Sequence, residues 1–236
     1  MILLSIDSSA VAASAALTQD DKILGEFYCN TGLTHSQTLL PMVQCLLQST
    51  KISLKDVDGF AVSAGPGSFT GIRIGIASVK GLAFPLNKPC AGVSTLEVIA
   101  WNMGHEECTV CAVMDARCGQ VYNAVFRAHG GKLERLTEDR AIFADDLAKE
   151  CEKYSKPLFL VGDGAKLCYN KQGFRTIGAF LPPEPLIYQR AGNVAKAAAA
   201  VFAEGKEVSP GSLMPVYLRP AQAERALNQK RRITEK

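Results

Sequence analysis

Three short segments of this chain hold the residue types from which catalysis or phosphate binding is built. Asp7-Ser8-Ser9 sets a carboxylate and two hydroxyls on a turn after a short apolar run. Gly65-Pro66-Gly67-Ser68-Phe69-Thr70-Gly71 is a glycine-rich loop ahead of a periodic apolar stretch, and glycines before a helix leave backbone N–H groups facing an anion. Gly162-Asp163-Gly164-Ala165 is a further glycine turn with a carboxylate. The spacing does not fit the common nucleotide fingerprints. A Walker loop needs Gly, four residues, then Gly-Lys-Ser/Thr, whereas Gly71 precedes Ile72 and the next lysine is Lys80. The dinucleotide motif needs two residues between its second and third glycines, and three separate Gly67 from Gly71.

Other chemistries fare no better. Ser68 and Thr70 become nucleophiles only beside a base, and His35 is the one candidate; hydroxyls next to glycine otherwise cap turns and helices. The three histidines (35, 105 and 129) are far apart in sequence, so local spacing assembles no imidazole metal site. Of eight cysteines only Cys108 and Cys111 are close, and residues three apart in a strand face opposite sides. The pattern is that of reduced, buried thiols. No metal and no cofactor is expected.

These segments require elements to position them. Residues 60–64 suit a short buried strand, and Ile72, Ile76, Val79 and Ala83 form one face of a helix ending before Pro85. Gly71, Gly75 and Gly81 each cost that helix about 0.8–1.0 kcal/mol relative to alanine. Gly71, Gly75 and Ser78 make a smooth stripe, suited either to close packing on the protein's own sheet or to an intermolecular helix seam. Upstream, residues 2–6, 11–17 and 23–29 read as three strands. Thr34 and Gln37 have capping-box spacing at the start of a helix to about residue 49, with Leu39, Leu40, Val43, Leu46 and Leu47 as its apolar face and a kink at Pro41. A strand at 89–93 and a helix at 95–103 complete a β-β-β-α-β-α-β-α order, that of a ribonuclease-H-like mixed sheet flanked by helices.

The polar break at 104–107 divides an N-terminal unit, 1–104, from a second, reduced unit, 105–218, with a basic tail at 219–236. The second unit opens as the first does: strands at 108–114 and 121–126 around Asp115-Ala116-Arg117-Cys118-Gly119, then a helix at 144–154, a strand at 158–161 and an alanine-rich helix at 193–204. Net charge is +3, and the tail holds six bases against two acids, a footprint for RNA or an acidic partner. Composition is that of a soluble globular protein. Met1 to Ile6 meets Asp7 at once, so neither a leader nor a membrane span is expected, and the cytoplasm is the expected location.

Two successive units opening with strand, acidic turn and strand resemble the actin, Hsp70 and sugar-kinase superfamily. There each turn offers N–H groups and a carboxylate to phosphates and Mg²⁺. Asp7 and Ser8 match the first turn, Gly162 and Gly164 resemble the adenosine-side loop, and Asp115-Ala116-Arg117 lacks the glycine pair of the second turn. Within that superfamily, residues 63–75 with Lys80-Gly81-Leu82-Ala83, Asp115 to Tyr122 and Pro215-Val216-Tyr217-Leu218-Arg219 look like the bacterial TsaB (YeaZ) family.

That resemblance implies a noncatalytic subunit of the machinery that puts a threonylcarbamoyl group on N6 of the tRNA adenosine following the anticodon. It implies a TsaD-like catalytic partner, a TsaE-like ATPase, a homodimer when alone, and tRNA met through the complex. TsaD-like enzymes carry a His-x-x-x-His metal motif where this chain reads Ser94-Thr95-Leu96-Glu97-Val98-Ile99. The implied partner interface is the first two helices, with Leu39, Leu40, Val43, Leu47, Gly71, Arg73, Gly75, Ile76, Ser78, Val79 and Lys80. The alternative is a nucleotide-dependent phosphotransferase or ATPase that keeps Asp7 and the Gly162 loop.

Overall fold

A computed structural model describes residues 1–219, and the basic residues from Arg225 onward lie outside them. The chain opens with β1 (Ile2–Asp7), β2 (Ala13–Gln19) and β3 (Lys22–Cys29), antiparallel neighbours joined by tight turns. After helix α1 (His35–Thr50), strand β4 (Gly59–Gly65) pairs parallel to β1. Helix α2 (Phe69–Ala83) leads to β5 (Cys90–Ser94), parallel to β4. The first sheet is therefore ordered β3-β2-β1-β4-β5. β4 is buried at every position, as its unbroken apolar run requires.

Helix α3 (Thr95–Ala100) crosses to the second sheet, ordered β10-β6-β7-β8 with β9 also on β7. Its strands are β6 (Cys108–Asp115), β7 (Gln120–His129), β8 (Lys132–Arg135), β9 (Arg140–Phe143) and β10 (Leu158–Val161). Antiparallel β6–β7 followed by parallel β10–β6 repeats the β1–β2 and β4–β1 arrangement. Helices α4 (Ala144–Glu150), α5 (Ala165–Tyr169) and α6 (Gln172–Thr176) complete this half. The fold is thus the actin-like type, mixed sheets flanked by helices.

Some sequence expectations change. Thr34 is the N-cap of α1, but its side chain makes no capping hydrogen bond, so the capping box is absent. The buried face of α1 is Leu39, Met42, Val43 and Leu46, while Leu40 is exposed. The short strands β8 and β9 were not legible as strands, because four-residue segments show too little alternation.

Helix α7 (Ala191–Ala203) overturns one boundary. Assigned by sequence to the second unit, it packs instead on the first sheet, where Val194, Ala197 and Ala198 meet Leu3, Ala61, Ala91 and Val93. Its small side chains let it lie close to the strands. Glu26 on β3 fixes its start, accepting from Arg190 Nε and an Arg190 terminal nitrogen at 3.1 and 2.7 Å and from the Gly192 N–H at 2.9 Å. The first sheet is therefore covered by α1 and α2 on one face and by α7 on the other.

Candidate functional site

A cleft of about 570 Å³ opens between the two sheets. One wall is the first turn and the glycine loop, through Ser9, Gly67, Ser68 and Thr70; the other is Met114, Asp115, Arg117, Tyr122 and Asp163. The sequence brings these together because the β1 and β6 strands both end at the cleft.

The first wall is closed on itself. Asp7 is fully buried, and its carboxylate accepts from the Ser9 N–H at 2.9 Å, the Ser9 hydroxyl at 2.8 Å and the Ser63 hydroxyl. Burial pushes its pKa up, opposed by the hydrogen bonds from Ser63 and Ser9. Ser8 donates its hydroxyl to the Gly71 carbonyl at 2.9 Å, and Ser68 N–H donates to the Ser9 carbonyl at 2.7 Å. The first turn is thus spent anchoring α2.

Gly71 and Gly75 are placed by that anchor. A Cβ on Gly71 would stand 2.0 Å from the Ser8 carbonyl oxygen, and one on Gly75 would stand 2.6 Å from Ser8 Oγ and 3.1 Å from Val62 Cγ2. The glycine stripe therefore faces the protein's own sheet. This corrects the expected interface: Gly71, Gly75, Ile76 and Val79, with Leu39 and Val43 on α1, are buried in the chain's own core. Arg73 and Lys80 are engaged by the C-terminal segment, Arg73 Nε donating to the Tyr217 hydroxyl at 2.8 Å and Lys80 to the Gly211 carbonyl at 3.2 Å. Ser78 and Leu47 are half-buried. What α2 turns outward is Thr70, Arg73, Ala77, Gly81 and, just beyond its end, Phe84, which is 69% exposed.

No nucleophile–base pair forms in the glycine loop. The Ser68 hydroxyl accepts from the Gly71 N–H as the α2 N-cap, and His35 Nε2 bonds the Ala10 carbonyl at 2.7 Å. Among the described residues no three His, Cys, Asp or Glu side chains gather as a metal site. Cys108 and Cys111 lie on opposite faces of β6, in different core clusters, and Cys111 instead lies 3.9 Å from Cys151.

The second wall is acidic. Asp163 accepts from the Asp115 N–H at 3.2 Å, and burial, reinforced by the Asp115 charge, raises its pKa to about 6. Asp115 accepts from the Arg117 N–H at 2.7 Å and pairs with its guanidinium at 3.1 Å. Arg117, Cys118 and Gly119 all have positive φ, so the β6–β7 turn is built in a left-handed conformation with side chains where a phosphate cradle needs glycines. Gly162 and Gly164 pack on β6: a Cβ on Gly162 would lie 2.1 Å from the Val113 carbonyl oxygen, and its own N–H donates to Ile187. Ser63 and Asp163 were missed as site residues. One is the polar position in an apolar strand and the other sits between the two noted glycines, so both left a trace in the sequence.

Among the described residues one helical stretch, Phe69–Leu86, is long and apolar enough to cross a membrane by length and composition, but it is α2 and the turn after it, whose inner face covers the first sheet.

Known proteins match this architecture. Residues 30–171 match the family model described as TsaD, tRNA N6-adenosine threonylcarbamoyltransferase. The chain is 31% identical over 227 residues to the tRNA threonylcarbamoyladenosine biosynthesis protein TsaB of Bacillus subtilis, covering 95% of this chain and 96% of that protein. It is 34% identical to TsaB of Escherichia coli, covering 93% and 95%. Among solved structures, YeaZ from Pseudomonas aeruginosa superposes with a TM-score of 0.72 at 29% identity, covering 92% of this chain and 100% of that one.

Proposed function

The chain belongs to the TsaB (YeaZ) family of tRNA threonylcarbamoyladenosine biosynthesis proteins, and from that premise we propose that it is a noncatalytic docking subunit for a TsaD-like catalytic partner. Membership gives it a role in tRNA modification. The finer reading is supported above all by Asp7 and Ser8: the carboxylate and hydroxyl that would meet Mg²⁺ and phosphate are bonded to Ser9, Ser63 and Gly71 of the same chain. A buried carboxylate already accepting three hydrogen bonds has little left to offer a metal.

The docking surface is the outward face of α1 and α2, now read as Leu40, Arg73, Ala77, Gly81 and Phe84. Ala77 and Gly81 are short, so a partner helix can come close, and Leu40 and Phe84 supply apolar area around them. The TsaD family model spans both helices, residues 30–171, so a partner of that family presents a comparable helix pair. The same face serves a homodimer when the partner is missing. A TsaE-like ATPase joins the pair, tRNA is met through the assembly, and the setting is the cytoplasm, where these partners work.

The alternative is a phosphotransferase or ATPase acting in the cleft, favoured by the size of the cavity and by Asp115 and Asp163 on its wall. Calorimetry of the isolated chain with Mg-ATP separates the two. Docking predicts no binding in the submillimolar range and copurification with a TsaD-like protein; tight binding with turnover and no such partner would reverse the assignment.

A further inference from the structure

The segment after α7 runs over both halves of the molecule. Val208 exchanges two backbone hydrogen bonds with Cys90 on β5, each 2.8 Å. Leu213 is buried in the first core, packed over Gly92. The Val216 N–H donates to the Ala64 carbonyl at 2.8 Å, and the Val216 oxygen lies so close over Gly65 that a Cβ there would be 2.2 Å away. Tyr217 then stacks on Phe69 with ring centroids 4.4 Å apart and planes 16° apart. Immediately afterwards the chain changes sides: Leu218 packs on the cluster containing Met114, Ala116 and Tyr122, and Arg219 donates to the Ala116 carbonyl at 2.7 Å.

Phe69 and Ala116 both line the cleft, one on each wall. Two residues of one extended segment therefore hold opposite sides of the same opening. The same hydrophobic cluster, which also takes in Ala10 of the first turn, extends away from the cleft, where Leu96, Ile99 and Met103 pack on Val110 and Phe126. There Arg135 bridges Glu97 and Asp139, and Asp139 accepts the Ser94 hydroxyl at 2.6 Å. Two bodies packed along one cluster can hinge about it; where one segment is fastened to both lips of the opening, the cleft cannot widen without breaking that link.

We propose that residues 213–219 are a clasp that sets the aperture of the cleft, with Tyr217 and Arg219 as its positioning residues. The clasp also ties the cleft to the outer face of α2, because the Tyr217 ring lies on Phe69 at the cleft while its hydroxyl accepts from Arg73 on the exposed helix face. A partner that engages Arg73 thereby acts on the cleft through one side chain.

Hydrogen exchange on the full 236-residue chain reads this directly. In Tyr217→Ala and in Arg219→Ala, amides at 67–70 and 115–120 exchange about tenfold faster or more, while α3 and the start of β6 keep their rates. Tyr217→Phe keeps the stack, loses the Arg73 bond and gives a smaller rise in the same segments. Unchanged rates on both walls, a rise confined to 213–219, or a uniform rise through both sheets each overturn the clasp. Should Tyr217→Ala not fold, Arg219→Ala and Tyr217→Phe give the same readout with smaller losses of packing.

Discussion

Gly71 and Ser8 touch backbone to backbone: a methyl group on Gly71 would sit 2.0 Å from the Ser8 carbonyl oxygen, while the Ser8 hydroxyl donates to the Gly71 carbonyl at 2.9 Å. The contact fixes α2 on the first turn of the sheet and explains why glycine is required there. Helix propensity alone would favour alanine.

Gly71→Ala is therefore expected to destabilise by about 1–3 kcal/mol through overpacking against a backbone atom that has no rotamer to change. A Cβ on Gly81 would meet no neighbouring atom within 4 Å, so Gly81→Ala is expected to stabilise by about 0.5–1 kcal/mol. Urea denaturation of the two variants measures both, and equal effects would contradict the assigned faces of α2.

The docking face predicts that Ala77→Arg and Leu40→Glu leave circular dichroism and melting temperature near wild type and lose association with a TsaD-like partner. Both side chains are exposed in the isolated chain, so neither change touches its core. Light scattering of the mixed proteins tests this; undiminished complex in both variants removes α1 and α2 as the surface.

Asp163 gives a pH signature. Its pKa is raised from 3.8 to about 6 in the folded chain, so the folded state holds its proton more tightly than the unfolded state. The resulting penalty is absent below the unfolded value, grows from about pH 4 to 6 and is constant above. Asp163→Asn, which can still accept from Asp115, should stabilise by about 1–3 kcal/mol near pH 7 and by nothing near pH 4. Glu107 and Glu150, whose pKa values are lowered, act oppositely and only at the acid end. A variant-to-wild-type difference that does not change over this range would refute the assignment.

Helix α7 should behave as part of the first half. Glu26→Ala strips Arg190 and the Gly192 N–H of their acceptor and is expected to cost about 2 kcal/mol. Amides of α7 should then exchange faster together with β3, with β6 and β7 unaffected. Acceleration confined to the second sheet would place the helix there.

The strand and helix order of the first half was legible, as were β6, β7, α4, β10 and α7 of the second, because each rests on local signals: the unbroken apolar run of β4, the three- and four-residue spacing of α2, and Pro85 and Gly205 as stops; the short β8, β9, α5 and α6 left no such signal. Side-chain type at Asp7, Ser8 and the Gly162 loop was equally plain, and so was the family signature around Gly65 to Gly75. Which way those residues face was not. A stripe of glycines reads the same whether it meets a partner or the protein's own Ser8, and an alanine-rich helix carries no label for the sheet it will cover. Only the tertiary structure decided these points, because they depend on contacts between residues as far apart as Glu26 and Gly192, or Phe69 and Tyr217. Such pairings follow from the shape of the assembled sheets, which no local window of sequence contains.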